Sequence, residues 1–111
     1  MNEAEQLYTE IGESMEDVKS GNMFGWKSFT YKRKPFLFFD KNSEQAVVFK
    51  VETDKLISTL DLAGTEIFNP GDKGKPMKNW VVVPIKHNYL WKDLALSAYE
   101  NIIREVNHGK R

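Results

Sequence analysis

The sequence predicts an α+β domain: a mainly antiparallel five-stranded sheet with helices against one face, in the order αβββαββα. Three observations lead there. Apolar residues recur at helical spacing near both ends of the chain. Between those ends lie runs rich in β-branched and aromatic residues, "WKSFTYK", "FLFFD", "AVVFKV" and "WVVVP". The first three runs are separated by only a few residues of turn chemistry, too few for a crossover, so they must be antiparallel neighbours. A chain of 111 residues is expected to build one core, and residues 1–111 are read as a single domain.

Each element has its own warrant. Leu7, Ile11, Met15 and Val18 fall on one helical face, Asn2 and Glu5 form a capping box, and Gly21 can end the helix, which predicts a first helix over residues 3–19. In "WKSFTYK", Phe29 and Tyr31 alternate with Ser28, Thr30 and Lys32, as in a strand with one wet face. After the turn at Arg33, Lys34 and Pro35, residues Phe36 to Phe39 are apolar in succession. Ala46 to Phe49 repeat that pattern, so both strands should be covered on two faces and form the folding core. Glu52, Thr53 and Asp54 offer a cap for a short helix carrying Leu56, Ile57 and Leu60, which ends before Gly64. "TEIF" is a brief strand, and "WVVVP" a firm one stopped by Pro84. Leu90, Leu94, Ala98, Ile102 and Val106, widened by Trp91, Ala95 and Tyr99, predict a long closing helix.

Composition narrows the function classes. The chain has no cysteine, which excludes disulfides, thiolate metal sites and cysteine nucleophiles. No apolar run approaches the ~20 residues of a membrane span, and the acidic N-terminus is no leader peptide, so a cytoplasmic location without membrane contact is expected. Sixteen basic residues balance sixteen acidic ones, yet they come in blocks. Glu3, Glu5, Glu10, Glu13, Glu16 and Asp17 face only Lys19 in residues 1–22, whereas residues 23–50 and 71–92 are predominantly basic. Folding decides whether the basic blocks merge.

The stretch "GDKGKPM", Gly71 to Met77, invites comparison with a phosphate cradle. A P-loop needs a glycine where Asn69 stands and a Ser or Thr where Pro76 stands, and it must open a helix, whereas this stretch leads into "WVVVP". It is read as a loop between strands, with glycines for unusual backbone angles and lysines for solvation. His87 and His108 lie far apart and outside any spaced carboxylate cluster, so no metal is expected. Ser28, Ser58 and Ser97 lack a nucleophile context, and Glu66 with Asp72 makes only a weak acid-base pair beside the loop. No catalytic residue and no cofactor is predicted.

Aromatic residues interleave with basic ones, as in Trp26-Lys27 and Tyr31-Lys32-Arg33-Lys34, and again around Lys78 and Trp80. Such a sheet face can stack bases and hold phosphates, with Lys32, Arg33, Lys34, Lys73 and Lys78 as the nucleic-acid contacts. The competing expectation is that the aromatics pair across the sheet while the lysines guard its turns and edges.

Three stretches, "MFGWKSF" (Met23 to Phe29), "KPFLFF" (Lys34 to Phe39) and "KPMKNWVVVP" (Lys75 to Pro84), in this order and spacing, resemble the N-terminal domain of the TfoX family. The resemblance runs over residues 23–106. It implies an α+β fold related to secretion-chaperone-like domains, with no known catalytic residues and a tendency to pair through sheets or helices. Named members regulate natural competence. Trp26 stands where relatives usually have Gly, and those regulators carry a second, C-terminal domain for which 111 residues leave no room, so the competence role is expected to transfer poorly. The resulting expectation is a non-enzymatic domain that binds a partner protein or a second copy of itself. Its interaction surface is expected at Trp26, Lys27, Lys75, Pro76 and Met77. The alternative is a nucleic-acid accessory domain.

Overall fold

A computed structural model describes residues 2–23, 25–69 and 77–108. It is an α+β structure with an open antiparallel sheet of six strands and, among the described residues, three α-helices. The elements are α1 (Glu3–Glu13), β1 (Val18–Met23), β2 (Trp26–Tyr31), β3 (Lys34–Phe39) and β4 (Ala46–Lys50), then α2 (Thr53–Leu60), β5 (Glu66–Ile67), β6 (Trp80–Pro84) and α3 (Trp91–His108). A 3₁₀ segment, Ile85–Leu90, leads into α3. The strands lie in the order β1-β2-β3-β4-β6-β5, every neighbouring pair antiparallel.

The main departure from expectation is at the start. Asn2 caps α1 as predicted, its side chain accepting from the Glu5 backbone N–H at 2.8 Å. The helix nevertheless stops at Glu13 rather than residue 19. Ser14 Oγ donates to the Ile11 carbonyl at 2.6 Å, and Asp17 turns the chain with φ 62°. Residues 18–23 then form a sixth strand, and Gly21 lies within it instead of ending a helix. Met15 and Val18 still reach the core, from the turn and from β1, which is why their spacing imitates a helix.

The sheet has two unequal faces. Against one face pack α1 and α3, enclosing Tyr8, Phe29, Phe36, Leu37, Phe39, Val47, Phe49, Val81, Val83, Trp91, Ala98 and Ile102. The Trp91 indole N–H donates to the Val83 carbonyl at 3.2 Å, fastening the start of α3 to β6. On the opposite face Trp26, Phe38, Val48, Phe68 and Trp80 form a second buried cluster with Met23, Met77 and Val82 at its margin. None of these residues belongs to a helix.

Successive apolar residues in β3 are explained by a register shift. Phe29 pairs with Leu37 but Thr30 with Pro35, so Phe36 is an extra residue on β3 and joins Leu37 on the helical side. Pro35 stands beside this irregularity, one of the few places where a strand tolerates proline.

Candidate functional site

The residues chosen from sequence are scattered by the fold. Trp26, expected at the centre of an exposed interface, is 7% exposed, its ring edge-on to Phe68 with centroids 5.0 Å apart. The correction has a simple cause: the sheet face away from α1 and α3 carries large aromatics of its own, and these bury one another. Lys27 points to the helical side and pairs with Glu5 of α1. Met77 is half-buried at the margin of the second cluster and donates its backbone N–H to the Phe68 carbonyl at 2.8 Å. Lys73, Lys75 and Pro76 lie outside the described residues, as do Phe24 and most of the "GDKGKPM" stretch. The nearest elements on either side of that stretch are paired strands, since β5 and β6 are neighbours and positions 80–84 are extended.

The aromatic and basic sheet face is likewise taken apart. Tyr31 is 9% exposed and stands edge-on to Tyr99 with centroids 6.1 Å apart, while Trp80 and Phe38 lie in the second cluster. The stacking half of that expectation is therefore buried. The basic half gathers at one end of the sheet. Lys32 and Arg33 form the tip of the β2–β3 hairpin, with φ 48° and 72°, and the Lys32 ammonium lies 5.7 Å from the Tyr31 ring centre. Lys34 and Lys50 both approach the Glu105 carboxylate on α3, at 3.6 and 3.0 Å. The hydrogen bond from Lys50, acting against partial burial, holds the Glu105 carboxyl below its ordinary range.

Beside this ion-paired group lies a cleft of about 630 Å³ between the start of α2 and the end of α3, lined by Lys50, Glu52, Lys78, Asn79, Arg104 and His108 among others. Arg104 reaches Glu52 at 2.6 Å and Asn101 at 2.7 Å. Both signs of charge are present and largely paired at the surface, an arrangement that contributes little stability.

Catalytic groupings do not assemble among the described residues. No set of three or more potential metal ligands occurs there. His87 Nε2 donates to the Ala63 carbonyl at 2.8 Å, joining the segment before α3 to the turn after α2, and His108 lies at the far end of α3. Ser58 Oγ donates to the Lys55 carbonyl of its own helix, and Ser28 is buried in β2. Glu66 is exposed on β5, while its suggested partner Asp72 lies outside the described residues.

A different surface emerges on the helical layer. Between α1 and α3 runs a groove of about 620 Å³, with Ile11, Met15, Leu96 and Tyr99 along it and Glu10, Glu16 and Lys92 at its rim. Leu96 is 49% exposed there. The Tyr99 hydroxyl crosses the groove's end to donate to the Glu16 carbonyl at 2.8 Å. Partial burial, followed by the charges of Glu16 and Asp17 and by neighbouring Tyr31, pushes the Tyr99 phenol above its usual range. One sequence signal marked this groove: Leu96 is apolar yet off the stripe that α3 buries at Leu94, Ala98 and Ile102.

No protein-family model matches the chain, and no curated protein and no solved structure matches it. What fold and surface define is a class: an α+β domain with a six-stranded open sheet, a solvent-facing groove between two helices and a basic end.

Proposed function

We propose that the chain is a non-enzymatic binding domain of the TfoX N-terminal type, working in the cytoplasm without a cofactor, and that it docks a partner protein in the groove between α1 and α3. The observation that carries the docking part is the apolar floor of that groove, where Ile11, Met15 and the half-exposed Leu96 stand together between α1 and α3. The family part rests on the three motif stretches and on an α+β build of the expected class. The location is supported by the absence, among the described residues, of any helix long and apolar enough to cross a membrane.

Site-specific photocrosslinking tests the reading. A photoreactive residue at position 96 should give discrete protein adducts in cells, whereas the same residue at Glu100, exposed on α3, should not. Identical adducts from both positions would refute the docking surface. An adduct of twice 12.9 kDa would identify the partner as a second copy.

A second reading is favoured by one observation, the convergence of Lys34 and Lys50 on Glu105 beneath the Lys32–Arg33 tip. It makes that end a contact for nucleic-acid phosphates. Retention on single-stranded DNA should then fall steeply with salt. Flat retention from low to moderate salt would remove this reading.

A further inference from the structure

We infer that the occupant of the α1–α3 groove is a basic amphipathic helix of a partner protein, its apolar face on Ile11, Met15 and Leu96 and its lysines or arginines against Glu10, Glu16 and Asp17. This rests on the docking reading above and adds the partner's chemistry. Two arguments on the page select it.

The first is backbone accounting. The groove lies between α3 and the last turn of α1 with the turn that follows it, where the Glu10, Ile11, Gly12 and Glu16 carbonyls are already hydrogen-bonded and no strand takes part, so it offers no ladder to an extended strand. A helix brings its N–H and C=O groups already paired, whereas an extended peptide would gain no backbone hydrogen bonds from a strand edge there and would keep them to water. A groove of about 620 Å³ can take a row of apolar side chains from one helical face, the mode read as anchors at i, i+3, i+4 and i+7.

The second is charge. α1 carries Glu3, Glu5, Glu10 and Glu13 and no basic residue, and its last turn holds no lysine or arginine to answer the negative end of the helix dipole. Glu16 and Asp17 follow at once, both close enough to bear on the Tyr99 hydroxyl at the groove's end. Lys92 is the basic side chain along the groove. A partner helix with acidic flanks would meet like charge on the α1 side, whereas a basic one is attracted and steered.

The probes are two designed helical peptides, one of leucine and lysine and one of leucine and glutamate at the same spacing, titrated by fluorescence anisotropy against the full chain. The leucine-lysine peptide should bind at least about tenfold more tightly and weaken with salt. Leu96→Asp should lower its affinity by about tenfold or more, while Ile57→Asp, at an exposed apolar position on α2, should leave it unchanged. Glu10→Lys with Glu16→Lys, both surface changes, should shift preference toward the leucine-glutamate peptide even if Leu96→Asp proves poorly folded. Equal binding of both peptides, equal loss from Ile57→Asp, or a charge-swapped variant with unchanged preference would each overturn the inference. If position 96 still crosslinks a distinct protein in that case, only the helix chemistry fails. If it crosslinks nothing, the docking reading fails with it.

Discussion

Replacing Gly12 by alanine isolates the contact that seats α1 on the sheet. In an exposed helix the change would stabilise by about 1 kcal/mol, because glycine is the poorer helix former. Here a Cβ on Gly12 would stand 2.1 Å from Phe29 Cε2 and 2.3 Å from its Cδ2 and Cζ. Carbon atoms rest at about 3.5–4.0 Å, so ring or helix must retreat by roughly 1.4 Å or more. Neither has room. Phe29 is 3% exposed, and the Tyr8 ring lies against it with centroids 4.9 Å apart. Overpacking costs about 1–3 kcal/mol and occasionally more, and a clash this deep belongs at the upper end. After the gain in helix propensity the net loss should be about 2 kcal/mol, a fall in Tm on the order of 10 °C for a domain of this size. Chemical and thermal denaturation followed by circular dichroism would measure it. Gly21→Ala, where an added Cβ meets nothing within 4 Å, is the control and should not destabilise. Phe29→Leu in the Gly12→Ala background should recover part of the loss, so that the double mutant is less destabilised than the sum of the single changes, whereas two independent core defects would simply add. A Gly12→Ala protein as stable as the parent would refute the close packing of α1 on β2.

Three further outcomes follow from the same packing. Trp26→Ala should act on folding rather than association, removing a buried aromatic at a cost of about 3–5 kcal/mol; a folded variant with an unchanged denaturation midpoint would place Trp26 back on the surface. Burial lifts the Tyr8 phenol far above its ordinary value of 10.0, so its contribution is intact below that pH and is lost as pH rises beyond it, when only the unfolded chain ionises. Tyr8→Phe, which removes a hydroxyl lacking any protein hydrogen-bond partner, should stay within about 1 kcal/mol of the parent at neutral pH and lose less stability in alkali; equal alkaline sensitivity would count against the burial. Lys32 and Arg33 occupy a two-residue hairpin loop between the paired Tyr31 and Lys34, both at positive φ, where Asn-Gly is preferred. Changing them to Asn and Gly should raise the unfolding free energy by about 1–2 kcal/mol, and an unchanged or lower value would show that the turn is not strained.

The local rules wrote much of the fold into the chain. Asn2 capping Glu5, the unbroken apolar runs of β3 and β4, the β-branched run stopped at Pro84 and the stripe from Trp91 to Val106 each depend on neighbours a few residues apart, and such signals survive folding unchanged. β1 was hidden because an edge strand of Val-Lys-Ser-Gly-Asn-Met has few apolar residues to alternate, while Met15 and Val18 continue the helical period by coincidence. The surface was decided at longer range. Trp26 is covered because β4, β6 and the chain flanking β5 bring Val48, Trp80 and Phe68 onto its face. The groove brings together residues far apart in the chain, its end spanned by the bond from Tyr99 to Glu16, 83 positions away. Periodicity tells a residue which neighbours share its face. Only the arrangement of whole elements sets whether that face meets protein or water.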